Sequence, residues 1–135
     1  MSQDKLRQEA ERWLAQAEDD LAAARVLRQA GHHALAAFHG QQAGEKALKG
    51  LWRRLDLDPW GHSAVRLLGE LPPGRANLDV VTLLPLAAAL DKLYIPTRYP
   101  DALPGITPSE AFTEEEASRA IEQAGRLMEA VRAVL

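Results

Sequence analysis

The sequence predicts an all-α protein, an up-and-down antiparallel bundle of four to five helices with no sheet. Ala and Leu supply 45 of the 63 hydrophobic residues, whereas Val and Ile together supply nine, and aromatic residues make up 5% of the chain. Ala and Leu enter helices at little cost, while strands favour β-branched and aromatic residues. Apolar residues also recur at steps of three and four along each patterned segment, which is the spacing of amphipathic helices.

Length, charge and composition argue against several other classes of protein. The 135 residues predict a single domain over 1–135, since domains of ~100 to 150 residues are the most common. A net charge of −3 argues against a surface that coats nucleic acid broadly, and the absence of Cys excludes disulfides and thiolate sites. The best apolar window, 80–90, is far shorter than the ~18 to 20 residues of a membrane helix, and the N-terminus lacks an apolar signal region. We therefore expect a cytoplasmic protein without membrane contact.

The first two helices are predicted over residues 3–29 and 33–55. The apolar positions of the first helix are Leu6, Ala10, Trp13, Leu14, Ala17, Leu21, Ala24 and Leu27. Those of the second helix are Leu35, Phe38, Leu48, Leu51, Trp52 and Leu55. Gly31 breaks the chain between the helices, and Pro59 marks the end of the second. Because the connector has only a few residues, the two helices should lie antiparallel as a hairpin.

The rest of the chain predicts three more helices. A short one over 63–71 is capped by Ser63, and a fourth runs from 77 or 79 to 94 and is either kinked at Pro85 or begins there. Four prolines between positions 96 and 108 exclude regular structure and predict an ordered loop or lid. The last helix begins at Thr113, since its hydroxyl and the Glu116 carboxylate can cap each other's backbone N–H groups.

A polar strip lies on one face of the second helix. It consists of Gln41, Glu45 and Lys49, spaced by four residues, with Gln42 and Lys46 beside them. One interpretation is a solvated face with a Glu-to-Lys pair worth a few tenths of a kcal/mol. The other is a functional site, because Gly44 costs ~1 kcal/mol relative to Ala and permits another chain or a ligand to approach closely.

The second unusual segment is the loop from Tyr94 to Asp101. Two prolines stiffen the backbone around Arg98, Tyr99 and Asp101. An immobilised Arg suits phosphate, since its planar fork donates two parallel hydrogen bonds, and Tyr99 can stack on a base. The alternative is an Arg98–Asp101 ion pair that fastens the loop to the bundle. We expect Arg98, Asp101, Glu45 and Lys49 to converge on one polar pocket.

The four histidines do not indicate a metal site. They lie at positions 32, 33, 39 and 62, and no spacing typical of metal ligands is present. Phosphate-binding glycine loops and catalytic serine motifs are absent as well. We therefore predict neither a metal nor a cofactor.

Several segments in chain order resemble a known family. They are Arg12-Trp13-Leu14, Ala17-Glu18-Asp19-Asp20-Leu21, Gln41-Gln42-Ala43-Gly44-Glu45-Lys46-Ala47-Leu48-Lys49, Gly61-His62, Leu67-Leu68, Asp91-Lys92-Leu93-Tyr94, Thr97-Arg98-Tyr99-Pro100-Asp101, Thr113 and Glu116-Ala117. Nearly the whole chain is similar to the HEPN domains, named for higher eukaryote and prokaryote nucleotide binding. The resemblance implies a helical bundle that forms a homodimer. It also implies a partner, because many such domains are encoded beside a small nucleotidyltransferase in a toxin–antitoxin-like pair.

The resemblance also implies a test for catalysis. Some HEPN domains are ribonucleases that carry Arg-x(4–6)-His near the start of the late helix, and Arg98 is the counterpart of that Arg. Positions 103–105 are Leu, Pro and Gly, so the His is missing. Arg28 and His33 match the spacing formally, but they lie at the junction of the first two helices, and we treat this match as chance.

The sequence therefore favours a non-catalytic subunit that binds a nucleotide or nucleic acid. Arg98, Lys49 and Lys46 would contact the anion, with Glu45 and Asp101 as orienting carboxylates. The full set of candidate ligand-binding residues is Arg98, Asp101, Tyr99, Glu45, Lys49, Lys46, Gln41, Gln42 and His62. Two alternatives stay open: a metal-independent ribonuclease in which Asp101, Tyr99 or His62 replaces the missing His, and a purely structural dimerisation module.

Overall fold

The computed structural model describes residues 1–135 as six helices and no strand. The helices are α1 (Gln3–Gln29), α2 (His33–Arg54), α3 (Ala64–Gly69), α4 (Val80–Asp91), α5 (Pro108–Ala111) and α6 (Glu114–Val134). The predicted all-α class is confirmed. Five of these helices correspond to the predicted ones, and α5 is an additional single turn. None of the six helices combines the length and the apolar composition of a membrane-spanning segment.

Helix α2 is the centre of the fold. It contacts all five other helices, with α1 and α6 as its most extensive neighbours. Its fully buried positions are largely small, namely Ala36, Ala37, Gly40, Ala43, Gly44 and Ala47, and they are followed by the larger Leu48, Leu51 and Trp52. Because small side chains let helix backbones approach closely, they allow one helix to be covered on nearly every side.

Glycines mark the closest approaches to α2. A Cβ on Gly44 would lie 2.7 Å from Cδ1 of Leu90 on α4 and 3.4 Å from Cδ1 of Leu127 on α6. A Cβ on Gly50 would lie 3.1 Å from the carbonyl oxygen of Ala10 on α1. Core side chains of the same chain therefore occupy the space beside Gly44, and the expectation that Gly44 faces another chain or a ligand is wrong.

The short elements are fixed by caps. Ser63 caps α3 as predicted, and its hydroxyl donates to Asp91 Oδ2 of α4 at 2.6 Å. Oδ1 of Asp91 accepts from the backbone N–H of Ala64, also at 2.6 Å, so one carboxylate joins α3 to α4. The capping box of Thr113 and Glu116 at the start of α6 is confirmed.

Two proline positions differ from the sequence-based expectation. Helix α4 begins at Val80 and continues through Pro85, so Pro85 does not start it. The sequence predicts no regular structure between 96 and 108, but Pro108 opens α5. Proline is tolerated in the first turn because no intrahelical N–H is needed there, and Thr107 with Glu110 forms a second capping box.

One predicted apolar position of α2 is also wrong. Leu35 is 43% exposed rather than part of the core. The side of α2 that faces α6 and α4 is occupied by Ala and Gly instead, since a Leu there would not fit between closely packed helices.

Two ionisable groups have clearly shifted pKa values, and both contribute to local structure. Hydrogen bonds from the Thr82 side chain and backbone N–H lower the pKa of Asp79, which caps α4. The hydrogen bond to Glu9 raises the pKa of Arg53, and this pair joins α2 to α1.

Gly44→Ala should destabilise the protein. The new methyl group would displace Leu90 or Leu127 from a filled core, and overpacking of this kind costs ~1 to 3 kcal/mol, more than the ~1 kcal/mol gained in helix propensity. Gly125→Ala on α6 is the matched control, because its nearest neighbour would be 4.0 Å away. Urea unfolding followed by circular dichroism should show a lower free energy of unfolding for Gly44→Ala and a higher one for Gly125→Ala. An equal increase in both variants would contradict the close packing around α2.

Candidate functional site

The polar strip of α2 is largely buried rather than solvated. Glu45 is 3% exposed, and Gln41 is fully buried. Gln41 Nε2 donates to Glu45 Oε1 at 3.1 Å, and Lys49 Nζ lies 3.0 Å from Glu45 Oε2. The interpretation of a solvated face is therefore wrong for these three residues. They form an internal ion pair with its own amide partner.

Lys46 belongs to a different cluster. Its Nζ lies 2.7 Å from Oδ2 of Asp20, a buried residue of α1, and His39 Nδ1 lies 3.8 Å from Asp20 Oδ1. Gln42 belongs to the Glu45 cluster, since its Nε2 donates to Gln41 Oε1 at 2.8 Å. The strip thus divides into two carboxylate-centred groups, one around Glu45 and one around Asp20.

His62 links the Glu45 cluster to the proline-rich loop. Its Nδ1 lies 3.4 Å from Glu45 Oε2. Its ring stacks on Tyr94 with centroids 4.6 Å apart and an interplanar angle of 16°. Tyr94 in turn lies against Arg98. A continuous series of contacts therefore runs from Lys49 through Glu45, His62 and Tyr94 to Arg98.

Three aromatic rings hold the Arg98 guanidinium in place. Its Cζ lies 4.4 Å from the ring centroid of Phe38, 4.6 Å from that of Tyr94 and 5.1 Å from that of Tyr99. Its Nε donates to the Tyr94 carbonyl at 3.0 Å. None of the ion pairs in the chain includes Arg98. Arg98 is therefore a fixed cation without a carboxylate partner.

Asp101 is not brought to Arg98. Its side chain is exposed, and no ion pair with Arg98 forms. Within the same segment, Thr97 is buried and its hydroxyl donates to the Leu93 carbonyl four residues earlier. The Arg98–Asp101 ion pair considered from the sequence is absent, and Asp101 does not join the expected pocket with Glu45 and Lys49.

Arg98 lines a cavity of about 220 Å³ at the start of α2. This Arg98 cavity is lined by residues from three segments: His32, His33, Ala34 and Leu35 around the start of α2, Thr97 and Arg98 from the loop, and Pro108 and Ser109 from α5. No carboxylate contributes to its lining. His33 Nδ1 is buried and has no hydrogen-bond partner within the protein. The cavity is thus rich in donors and free of anionic groups.

The first turn of α2 adds to the positive character of this cavity. His32 occupies the cap position but its side chain makes no capping hydrogen bond. The first N–H groups of a helix have no intrahelical acceptor, and the aligned peptide dipoles give this end a positive partial charge. The backbone therefore reinforces the charge of Arg98.

A larger groove of about 510 Å³ runs along the outer side of α1. Its lining includes the carboxylates of Glu9 and Asp19 together with Arg12 and Trp13. Because two carboxylates repel anions, and because neither Arg98 nor the polar strip of α2 reaches this groove, size alone does not make it the better candidate.

Sequence reasoning missed His33 and Ser109 as neighbours of Arg98. The formal spacing of Arg28 and His33 gave a misleading signal, since Arg28 Nη1 reaches Ser118 Oγ of α6 at 3.5 Å. The useful signal was the start of α2 itself, where His32 replaces the usual Ser, Thr, Asp or Asn cap.

Comparison with known proteins identifies the family. A family model described as HEPN domain matches residues 10–134. The chain belongs to the HEPN domain family. The solved structure of TT1696 from Thermus thermophilus is 41% identical with a TM-score of 0.89, and the match covers 94% of this chain and 98% of that one. ST0689, described as an archaeal HEPN homologue, is 38% identical with a TM-score of 0.77, covering 93% and 96%.

A curated relative comes from Methanocaldococcus jannaschii and is named "Putative toxin MJ1304". It is 25% identical over 132 residues, which cover 91% of this HEPN domain and 86% of the relative. The resemblance predicted from the Gln41–Lys49 and Thr97–Asp101 segments is therefore confirmed over nearly the whole chain.

Glu45→Gln should lower the free energy of unfolding by ~1 to 3 kcal/mol. The variant leaves the largely buried Lys49 ammonium without its carboxylate. Glu115→Gln on α6 is the control, since its partner Arg119 is exposed and such pairs contribute less than ~1 kcal/mol. Denaturant unfolding measures both variants. A loss for Glu45→Gln no larger than that for Glu115→Gln would contradict the supporting role of the Glu45 cluster.

Proposed function

We propose that this HEPN domain is a non-catalytic subunit that binds a nucleotide or nucleic acid through phosphate at the Arg98 cavity. One observation carries the proposal: Arg98 is held by three rings and has no carboxylate partner. Stacking occupies the faces of a guanidinium and leaves its edge donors available, which suits the bidentate recognition of phosphate.

The residues of the α2 strip support this site rather than contact the ligand. Lys49 and Lys46 are already paired with Glu45 and Asp20, so neither is a free cation. His62 stacks on Tyr94, and Tyr94 contacts Arg98, so these two rings connect the Glu45 cluster to Arg98. Arg98 is thus the principal anion contact in this proposal.

Tyr99 completes the proposed site. It is 46% exposed and lies beside the Arg98 guanidinium. An exposed aromatic ring next to a phosphate contact can stack on a nucleobase, and stacking of this kind is tolerant of base identity. The proposal therefore assigns the phosphate to Arg98 and the base to Tyr99.

We further propose that the subunit acts as a homodimer paired with a small nucleotidyltransferase in a toxin–antitoxin-like module. Family membership and the name of the archaeal relative, which describes a toxin, support this proposal. An adjacent reading frame encoding such an enzyme, and its co-purification with this chain, would support the pairing.

Sedimentation equilibrium at micromolar concentration should give about twice the 14.8 kDa chain mass, and a monomer at every concentration would contradict the homodimer.

A second candidate function is metal-independent RNA cleavage. It is favoured by one observation, the presence of His33 and Arg98 on the same cavity. An imidazole can transfer protons while a guanidinium stabilises the charge that develops on phosphate. Cleavage of RNA without metal that is lost in both Arg98→Ala and His33→Ala would replace the non-catalytic proposal with this one.

Arg98→Ala should weaken binding of ATP or of a short single-stranded RNA by ~1.5 to 3 kcal/mol, which is the scale of hydrogen bonds to a charged group. Isothermal titration calorimetry measures the change, and circular dichroism checks that the helices remain. Added salt should weaken wild-type binding because the contact is electrostatic.

Arg66→Ala is the control for this experiment, because Arg66 is exposed on α3 and does not line the cavity. Equal binding by wild type, Arg98→Ala and Arg66→Ala would place the ligand elsewhere. No binding by wild type would leave the purely structural module as the better account.

A further inference from the structure

A groove of about 330 Å³ lies between α4 and α6 and shares no lining residue with the Arg98 cavity. Its apolar lining consists of Ala89 on α4, Leu93 and Pro96 in the segment after α4, and Phe112 directly before α6. All four side chains are half-buried. This α4–α6 groove is therefore an apolar surface that water still reaches.

Phe112 is the least supported side chain of this lining. Leu93 packs against the hydrophobic core, whereas Phe112 does not belong to the core, and no other aromatic ring stacks on it. Aromatic side chains bury a large apolar area and dominate the energetics of many interfaces. Covering this ring would therefore favour the binding of a partner.

Both helices that border the groove contribute a cation. Lys92 caps the C-terminal end of α4 and belongs to none of the ion pairs in the chain. Arg119 on α6 lies 2.9 Å from Glu115, but both side chains are largely exposed, so water and salt weaken that pair. The carboxylate of the lining, Glu116, is held by its capping box with Thr113. The two cations are therefore available to an incoming anion.

The charge of this groove contrasts with the net charge of the chain, which is −3. An acidic partner is repelled by the chain as a whole and attracted by a local pair of cations, so complementary charge would orient it at the groove. An apolar centre with a charged rim is the usual anatomy of a protein interface. A nucleic acid backbone would gain more from a longer series of cations than from two. The pattern favours an acidic protein segment.

We propose that the α4–α6 groove docks an acidic segment of a partner protein. One large apolar side chain of the segment packs against Phe112, and carboxylates on either side of it pair with Lys92 and Arg119. This inference goes beyond the proposed function, since phosphate binding at Arg98 does not require it. Pro96 of the groove and Arg98 of the cavity lie on the same loop. A partner in the groove would therefore contact the loop that carries Arg98.

The experiment uses the full chain and three fluorescein-labelled peptides. They are the acidic peptide Asp-Glu-Glu-Leu-Phe-Glu-Asp-Glu, the basic peptide Lys-Arg-Lys-Leu-Phe-Lys-Arg-Lys, and an acidic peptide with Ala-Ala in place of Leu-Phe. Fluorescence anisotropy should show about tenfold tighter binding of the acidic peptide than of either other one, because the apolar anchor and the complementary charge both contribute.

Reversal of charge separates recognition from a general loss of structure. Lys92→Glu combined with Arg119→Glu should abolish the preference for the acidic peptide and bind the basic peptide about tenfold more tightly than wild type does. An unfolded chain would not produce this gain. Phe112→Ala should weaken binding of the acidic peptide severalfold. Arg7→Glu is the control, because Arg7 is exposed on α1 outside the groove, and it should retain the wild-type preference.

Four other results would overturn the inference. Equal binding of the acidic and basic peptides, or a preference unchanged in the double variant, would contradict the role of the two cations. No binding of any peptide would also contradict it, while the test of Arg98→Ala with ATP would still decide the proposed function separately. Binding of hexauridylate that depends on Lys92 and Arg119 would assign the groove to nucleic acid. A homodimer that dissociates in the double variant would assign it to a second copy of this chain.

Discussion

The packing around α2 determines where every functional side chain lies. This helix contacts all the others, and it can do so because Ala and Gly occupy the positions where α1, α4 and α6 come closest. The same helix supplies His33 at its start, Phe38 beneath Arg98, and Glu45 and Lys49 further along. A change in the distance between α2 and α4 would therefore alter the core and the site together.

The buried polar residues of the Glu45 cluster support the position of Arg98. Isolated charges are costly to bury, but Glu45 has Lys49, Gln41 and His62 as partners. His62 and Tyr94 then form a stacked support for Arg98, which Phe38 and Tyr99 complete. Aromatic contacts of a cation gain strength when water is excluded, so this arrangement fixes the guanidinium without neutralising it. The positive charge of Arg98 therefore remains available to an anionic ligand.

Sequence reasoning was most accurate where the signals were local. Helical spacing and the break at Gly31 defined α1 and α2 almost to the residue, and the caps Ser63 and Thr113 gave the starts of α3 and α6. It failed where neighbours are distant in sequence. A Glu-to-Lys spacing of four is the same on an exposed face and inside a core, so burial of Glu45 could not be deduced. The approach of His33 to Arg98 depends on how the loop folds back over α2. The Thr107 capping box was hidden by the surrounding prolines.

The central claim is that the Arg98 cavity, and not the strip on α2, receives the phosphate. Amide chemical shifts of the ¹⁵N-labelled protein during titration with a nucleoside 5′-monophosphate test it most directly. The account predicts the largest changes at residues 32–35, 97–99, 107 and 109, with little change at 46–49, where both lysines are already paired. Changes concentrated at 41–49 and at Asp20, with the cavity residues unaffected, would contradict it.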